Sequence, residues 1–282
     1  MNAPSRIYRC IEVRPVAGAL GAEIGGFDAS QPLDEDVVAE IRSAWLDHLV
    51  IFLRDQRLTP QQQLAFAARF GEPMGYPQLK GLPECPLITP VMKLPHERVN
   101  FGGIWHSDTT YLERPPMASM LYALEVPRYG GDTLFANQYL AYETLSDGLK
   151  RALDGVIGIN SSLKAEASKT REDALRAAGE ENKTLIGEHP VVRTHPETGR
   201  KALYVNVGHT THFKGWSEDE SKPLLEYLFR HQIRPELTCR FTWQPGSLAF
   251  WDNRCTQHFP VNDYHGFRRV MHRVTLAGDT PR

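Results

Sequence analysis

Two arginines, Arg269 and Arg273, lie four residues apart in a segment with the composition of a β-strand, Arg269–Leu276. Side chains alternate between the two faces of a strand, so both arginines point to one face, roughly 13 Å apart. If that face lines the inside of a barrel, each cation needs an anionic partner, because an unpaired buried charge is costly. The pair therefore predicts two anionic ligands in an enclosed site.

Three further residues have the types of a metal site. His106 and Asp108 form a His-x-Asp pair, which places an imidazole and a carboxylate on one face of a strand. His258 follows a predicted strand at residues 248–251 and shortly precedes the two arginines. Two histidines and one carboxylate bind Fe(II) and leave coordination positions open. By itself His-x-Asp is a weak signal, and a surface pair is the commoner interpretation. The arginines favour a metal-chelated 2-oxo acid whose far carboxylate reaches a buried cation.

These motifs resemble those of the iron(II)- and 2-oxoglutarate-dependent dioxygenases of the taurine and 2,4-dichlorophenoxyacetate dioxygenase family. The similarity extends over residues 13–279 and includes the Gly-Gly-Asp-Thr sequence at 130–133 and the segments 191–196 and 251–258. The resemblance implies a mainly β fold with flanking helices, a double-stranded β-helix of the jelly-roll, cupin-like type. It also implies Fe(II) as the metal, with 2-oxoglutarate and O₂ as cosubstrates.

The resemblance also implies a role for each site residue. His106, Asp108 and His258 are the expected iron ligands and catalytic residues. Arg269 and the Thr133 hydroxyl are expected to hold the far carboxylate of 2-oxoglutarate. Arg273 is then expected to hold an anionic group of the prime substrate.

Three departures from taurine dioxygenase fall in the expected substrate pocket. The loop at residues 70–76, which ends in the expected substrate contact Tyr76, lacks the histidine that grips the sulfonate in that enzyme. Gly102 replaces an asparagine, and His209 replaces a phenylalanine. These changes disfavour taurine itself. The predicted reaction is hydroxylation of another small organic anion, with release of succinate and CO₂ and breakdown of some hydroxylated products. An alkyl sulfonate or sulfate and an aryloxyalkanoate are the alternative substrates.

Other interpretations of the same residues stay open at this point. A zinc hydrolase or a non-catalytic metal-binding jelly roll is the alternative function, although zinc hydrolysis has no need for a second buried anion site. Thr133 is equally explained as the first residue of a strand after a Gly-Gly turn. Arg273 has a structural acid, Asp252, as an alternative partner, and His209 taken alone is typical of a partly exposed loop.

Composition and charge exclude several classes of protein. The 282 residues are 41% hydrophobic and 23% charged, with a net charge of −2, as in an ordinary globular protein. The sequence lacks the surplus of basic residues that would indicate nucleic-acid binding. It also lacks an unbroken apolar run of about 18 residues, which would indicate a membrane span. The N-terminus lacks the apolar core of a signal peptide, and the four cysteines have no paired short spacing. We therefore expect free thiols in the cytoplasm and, from the resemblance, a homodimer or homotetramer.

The patterns along the chain predict one domain over residues 1–282. Helices are indicated at about 34–49, from the N-cap Thr59 to Gly71, from the N-cap Ser146 through residue 156, and after a Ser217–Glu220 capping box. Strands are indicated at 50–53, 104–112, 117–125, 134–136, 191–194, 202–207, 238–243, 248–251 and 269–276. Residues 73–103 are rich in Pro and Gly, which favours an irregular loop. Residues 164–187 are charged and poor in large apolar side chains, so we expect a mobile lid.

Overall fold

The computed structural model describes residues 6–77, 79–164 and 184–282, which form a mainly β structure with helices packed on its outside. The strands are β1 Glu12–Pro15, β2 Ala22–Gly25, β3 Val50–Leu53, β4 Pro73–Met74, β5 Ile88–Lys93, β6 Ala118–Glu125, β7 Thr133–Asn137, β8 Ile157–Ser161, β9 Ile186–Pro190, β10 Val192–Thr194, β11 Lys201–Leu203, β12 Thr210–Phe213, β13 Thr238–Phe241, β14 Leu248–Asp252, β15 Thr256–Pro260 and β16 Arg269–Leu276. The α-helices are α1 Glu35–His48, α2 Pro60–Ala68, α3 Gln138–Glu143, α4 Asp147–Ala152 and α5 Glu218–His231.

Two facing sheets form the barrel. The larger has eight strands in the order β1-β2-β3-β14-β6-β16-β4, with β5 pairing with β16 beside β4. The smaller has the order β13-β7-β15. Apart from a short parallel pairing of β2 with β3, the strand pairs in the described part of the chain are antiparallel. This arrangement is a jelly roll, as the sequence predicted. Two further sheets are separate from these: a three-stranded sheet with the order β12-β8-β9, and the two-stranded β10-β11 hairpin.

Strand β14 shows how the sheet separates two apolar layers. Phe250 and Trp251 are neighbours on this strand, so their side chains point to opposite faces. Phe250 stacks on Trp45 of helix α1 at a ring distance of 4.4 Å, which covers the outer face of the sheet. Trp251 packs against Phe135 of β7 at 5.7 Å inside the barrel. The inner layer is therefore the one that borders any site between the sheets.

The helix signals of the sequence are confirmed at their starts. In α2 the Thr59 side chain accepts a hydrogen bond from the backbone of Gln62, and the Gln62 side chain accepts one from the backbone of Thr59. In α5 Ser217 and Glu220 form the same reciprocal capping box. Two helices end earlier than predicted: α2 ends at Ala68, before Gly71, and α4 includes Leu149 but ends at Ala152, before Leu153 and Val156.

Two predicted elements are wrong. Residues 104–112 form turns with a single β-bridge at His106 instead of a strand. Residues 73–103 were expected to be irregular, but they contain β4 and β5, and β5 pairs with β16 along six residues. Both differences arise because pairing with a distant strand, rather than local composition, decides the backbone conformation.

The predicted lid at 164–187 falls largely outside the described residues, which omit 165–183. Its last two residues, 186 and 187, belong to strand β9. The predicted hairpin is confirmed, with Val192 opposite Leu203 in the β10-β11 register. In the part of the chain that the structure describes, no helix combines the length and apolarity needed to cross a bilayer.

Candidate active site

Both arginines of β16 point into the barrel, as their alternation predicted. Arg269 and Arg273 are 5% and 3% exposed, whereas Val270 and His272 between them are only partly buried. The arginines border a cavity of about 450 Å³, its open mouth included. Its other lining residues are mostly aromatic or aliphatic and come from several strands: Val91, Phe101, Gly102, His106, Leu121, Thr133, Phe135, Trp243, Trp251, His258 and Pro260.

The three predicted metal ligands meet at this cavity. The Oδ1 atom of Asp108 lies 3.6 Å from Nε2 of His106 and 3.7 Å from Nε2 of His258. The three ligand atoms all lie within 4.8 Å of one another, and all three side chains are buried. One ion with bonds of about 2.1 Å to each atom fits these separations.

Backbone contacts hold the two histidines at this spacing. The N–H of His106 donates to the carbonyl of His258 at 3.1 Å, and the N–H of His258 donates back at 2.9 Å. Nδ1 of His106 lies 2.6 Å from the carbonyl oxygen of Ile104. Because a carbonyl only accepts, Nδ1 carries the proton, and the lone pair of Nε2 is left for a metal.

The charge states of the ligands also suit a divalent cation. Burial alone would raise the pKa of Asp108, but Arg273 and then the two imidazoles hold that pKa well below its usual range. Burial, followed by the neighbouring His106, lowers the pKa of His258 well below its usual range. The carboxylate is thus charged and the imidazole neutral, which are the forms that bind metals. Among the residues that the structure describes, Oδ1 of Asp108 is buried with no hydrogen-bond partner, as expected of an atom reserved for an ion.

Arg269 has unused donors at the other end of the cavity. Its Nε and Nη2 atoms are buried without a hydrogen-bond partner in the described part of the chain, and its guanidinium lies 5.5 Å from the ring centre of Trp243. The indole N–H of Trp243 donates to the Thr133 hydroxyl at 3.0 Å. That hydroxyl can therefore direct its own proton elsewhere. Two guanidinium N–H groups and one hydroxyl suit a carboxylate.

Arg273 contacts a different acid from the one weighed in the sequence analysis. Its Nη2 lies 2.5 Å from Oδ2 of Asp108, and its guanidinium lies 4.7 Å from the ring centre of Tyr76. Asp252 instead pairs with Arg254 at 2.7 Å. Arg273 therefore links the metal-ligand carboxylate to the substrate side of the cavity.

The remaining predicted substrate contacts lie at or near the cavity. Gly102 lines it in the left-handed region, with φ +64. A Cβ atom there would meet the metal-facing edge of His106, 2.9 Å from Cε1 and 3.2 Å from Nε2. His209 is 7% exposed, so its interpretation as a partly exposed loop residue is wrong. Its ring packs on Tyr111 and His106 at 5.0 and 6.1 Å, behind the cavity lining.

Sequence reasoning missed two residues of this site. Trp243, which donates to Thr133, and Ser119, which donates to Asp108 at 2.8 Å, were not identified as functional. Neither belongs to a motif with diagnostic spacing. A lone serine or tryptophan at the cavity wall could only be recognised from contacts made between distant strands.

A second cluster of potential ligands, His195, Asp252 and Cys255, is a structural network. Nδ1 of His195 accepts two backbone N–H groups of the following turn, and its Nε2 lies 3.0 Å from Asp252. Both carboxylate oxygens of Asp252 also accept from Arg254. These contacts join His195 and Asp252 to Arg254 and to the following turn, which accounts for the cluster as a structural network.

The fold and the site together define a jelly-roll oxygenase that binds a metal and a 2-oxo acid. The chain belongs to the taurine catabolism dioxygenase TauD, TfdA family, whose family model matches residues 12–275. It is 37% identical over 279 residues to an alpha-ketoglutarate-dependent sulfate ester dioxygenase of Pseudomonas putida, covering 96% of this chain and 91% of the relative.

Solved structures agree. A putative alpha-ketoglutarate-dependent taurine dioxygenase from Burkholderia xenovorans is 40% identical, with a TM-score of 0.82 and coverage of 96% of this chain and 91% of that one. AAD-2, solved with Mn(II) and N-oxalylglycine, is 29% identical, with a TM-score of 0.80 and coverage of 96% and 98%. The chain is thus a dioxygenase that uses Fe(II), 2-oxoglutarate and O₂ on a small organic substrate. The zinc-hydrolase and non-catalytic alternatives are not favoured.

Proposed function

We propose that the prime substrate is a monoanionic organic sulfate ester, hydroxylated at the carbon that bears the sulfate oxygen. The observation that carries this proposal is the balance of charge in the cavity. Arg269 and Arg273 contribute two positive charges and Asp108 one negative charge, which leaves a net charge of +1. Fe(II) adds +2 and 2-oxoglutarate adds −2, so one further monoanion makes the filled site neutral.

Each side chain has a proposed task. His106, Asp108 and His258 hold the iron, which supplies a site for O₂ activation next to the chelated 2-oxoglutarate. Arg269 and the hydroxyl of Thr133 are the proposed partners of the far carboxylate, because both line the cavity and both contact Trp243. Those contacts fix the direction in which the cosubstrate extends from the metal.

Arg273 is the proposed anchor of the substrate sulfate. Its charge is shared with Asp108 in this structure, and a bound divalent cation would draw the carboxylate charge toward the metal. The guanidinium can then offer donors to a second anion. Tyr76, beneath this guanidinium, and Gly102, on the cavity wall, are the proposed neighbours of the substrate. His209 supports that wall from behind.

The apolar lining selects the rest of the substrate. Val91, Phe101, Leu121 and Pro260 offer no hydrogen-bonding side chains, so they suit an alkyl or aryl group and exclude water from the reacting carbon. The Pseudomonas putida relative is named for sulfate esters. A sulfonate has the same charge and donor requirement. An aryloxyalkanoate is the second candidate, because it too is a monoanion with an apolar body.

The proposed reaction balances as follows. One atom of O₂ enters the substrate C–H bond as a hydroxyl, and the other enters succinate as 2-oxoglutarate loses CO₂. The hydroxylated sulfate ester then eliminates hydrogen sulfate, as its C–O bond breaks and the hydroxyl becomes an aldehyde carbonyl. Each turnover therefore yields one aldehyde, one sulfate, one succinate and one CO₂.

Hexyl sulfate and hexyl phosphate give a matched test of the charge argument. A phosphate monoester carries about −1.5 to −2 at pH 7, whereas the sulfate ester carries −1. We expect kcat/KM for succinate formation to be at least about tenfold higher with hexyl sulfate, with equimolar sulfate release. Comparison of hexyl sulfate with hexanesulfonate and phenoxyacetate in the same assay distinguishes the proposed sulfate ester from a sulfonate and an aryloxyalkanoate. Equal or better turnover of hexyl phosphate, or of a neutral hexyl ether, contradicts the proposal.

The finer predictions about assembly and location belong with this proposal. A homodimer or homotetramer follows from the resemblance and is measured by light scattering of the purified full chain. A cytoplasmic location follows from the unpaired thiols and is supported by the four free cysteines of the structure. The proposal that residues 164–187 act as a lid over the iron site is tested by proteolysis with and without hexyl sulfate and 2-oxoglutarate.

A further inference from the structure

Ser119, on strand β6, is completely buried and faces the same way as the cavity residue Leu121 two positions later. Three polar groups surround its hydroxyl. Oγ lies 2.8 Å from Oδ2 of Asp108, 3.0 Å from Nη2 of Arg273 and 3.1 Å from Nδ2 of Asn253. A single small side chain thus contacts both the proposed metal ligand and the proposed substrate anchor.

The direction of these hydrogen bonds is fixed by Trp251. Its indole N–H, which can only donate, points to Oδ1 of Asn253 at 2.9 Å. The other end of that amide is therefore the NH₂ group, which donates to Ser119. Arg273 also donates to Ser119, so both lone pairs of the hydroxyl are used. The serine proton must then go to Oδ2 of Asp108.

Asp108 consequently presents its two oxygens differently. Oδ2 accepts from Ser119 and Arg273, whereas Oδ1 has no hydrogen-bond partner within residues 6–77, 79–164 and 184–282 and faces the imidazoles of His106 and His258. We propose that Ser119 is a positioning residue that keeps Asp108 a one-oxygen metal ligand. When Arg273 turns to a substrate anion, the serine still occupies Oδ2. A coordination position that a chelating carboxylate would fill stays open for the cosubstrates.

This inference rests on the proposed metal site, so its test includes the parent protein. Crystal structures of the parent and the Ser119→Ala variant are determined with Mn(II) and without substrate. We expect one Asp108 oxygen on the metal in the parent and both in the variant. Isothermal titration should show that the variant binds Mn(II) about 10–100-fold more weakly than the parent, as is usual when a group that orients a ligand is lost.

Ser221→Ala is the matched control, because Ser221 is also completely buried, and its hydroxyl bonds to the backbone of Phe213 and Ser217, away from the proposed metal site. It should bind Mn(II) like the parent. Ser119→Thr keeps the hydroxyl and should keep one-oxygen ligation. Unchanged ligation and affinity in Ser119→Ala, or equal losses in Ser119→Ala and Ser221→Ala, overturns the role of Ser119. Absence of Mn(II) from Asp108 in the parent overturns the metal site itself.

Discussion

At the scale of single residues, the metal site depends on a backbone arrangement more than on its side chains. His106 and His258 hydrogen-bond to each other through their main chains, and the chain turns just after Asp108, where Thr109 has a φ of 43°. The sequence placed His106 and Asp108 together on a strand face that does not exist. The residue types and the family resemblance predicted three side chains that lie together in the structure, but the turn that aims them depends on the bridge to β15.

Gly102 gives a prediction about this geometry. The Gly102→Ala substitution places a methyl group against the metal-facing edge of His106, at 2.9 and 3.2 Å. It also costs about 1 kcal/mol of backbone strain, because φ is +64. Gly199→Ala is the control, with φ +68 and nothing within 4 Å of the added atom. We expect only Gly102→Ala to weaken Mn(II) binding, by about tenfold or more in calorimetry. Equal affinities in the two variants would contradict the steric argument.

Trp243 gives a second prediction at this scale. Trp243→Phe keeps an aromatic ring near Arg269 but removes the N–H that donates to Thr133. The loss of one oriented hydrogen bond should weaken 2-oxoglutarate binding by about 1 kcal/mol, or roughly fivefold. The measurement is a titration of the Fe(II) protein with 2-oxoglutarate under anaerobic conditions. Combined with Thr133→Val, the two losses should not add, because both act on the same hydroxyl. Strict additivity would show that Trp243 acts by another route.

At the scale of elements, strand β16 carries the arginines of the two proposed anion sites. Arg269 and Arg273 both lie on its inner face, and Arg268 points outward to pair with Glu125 at 2.5 Å. Arg269→Leu should weaken 2-oxoglutarate binding by about 2–5 kcal/mol, since a buried carboxylate loses its partner. Arg273→Gln should leave that affinity nearly unchanged and raise KM for hexyl sulfate. Arg268→Gln serves as the control for a charge removed outside the barrel. Parent-like 2-oxoglutarate binding by Arg269→Leu would mean that the cosubstrate lies elsewhere.

The sequence predicted an element well where neighbouring residues determine its structure, and poorly where contacts with distant residues do. The alternation of β16, the N-cap at Thr59 and the capping box at Ser217 involve neighbouring residues, and all three were predicted. Strand β5 was missed because Pro90 and the surrounding loop residues obscure its pattern, while its conformation is set by β16. The same reason applies to Ser119, whose role arises only where β6 meets the turn that carries Asp108.

At the scale of the whole molecule, the jelly roll keeps several ionisable groups away from water at one place. Its two sheets supply opposite walls of the cavity, with the arginines on β16 and His258 on β15. Burial keeps His258 neutral, whereas Arg273 and the imidazoles keep Asp108 charged despite its burial, and these opposed effects make the metal-free site sensitive to protons. The stability of the metal-free protein should therefore depend on pH through these buried side chains.

His209 is the residue that isolates this dependence. Burial, then the neighbouring His106, lowers its pKa to about 3, from an ordinary value of 6.5, although Asp108 opposes the shift. Between these values the unfolded chain binds a proton that the folded protein refuses. The contribution of neutral His209 to the free energy of unfolding is thus fully present above about pH 6.5 and is lost as the pH falls toward 3. Each such proton contributes a slope of about 1.4 kcal/mol per pH unit.

His209→Phe should therefore flatten the pH profile of stability while keeping an aromatic ring against Tyr111. The measurement is urea unfolding of the metal-free protein from about pH 7 to about pH 4.5, a range above the window in which Asp108 protonates. We expect the variant to take up about one proton fewer than the parent on unfolding, so the slope of its unfolding free energy against pH should be smaller by up to about 1.4 kcal/mol per pH unit. His265→Phe, which changes a solvent-exposed histidine, should leave the slope unchanged. Identical slopes for the parent and His209→Phe would show that His209 takes up a proton inside the folded protein, and that its surroundings are wetter than the packing indicates.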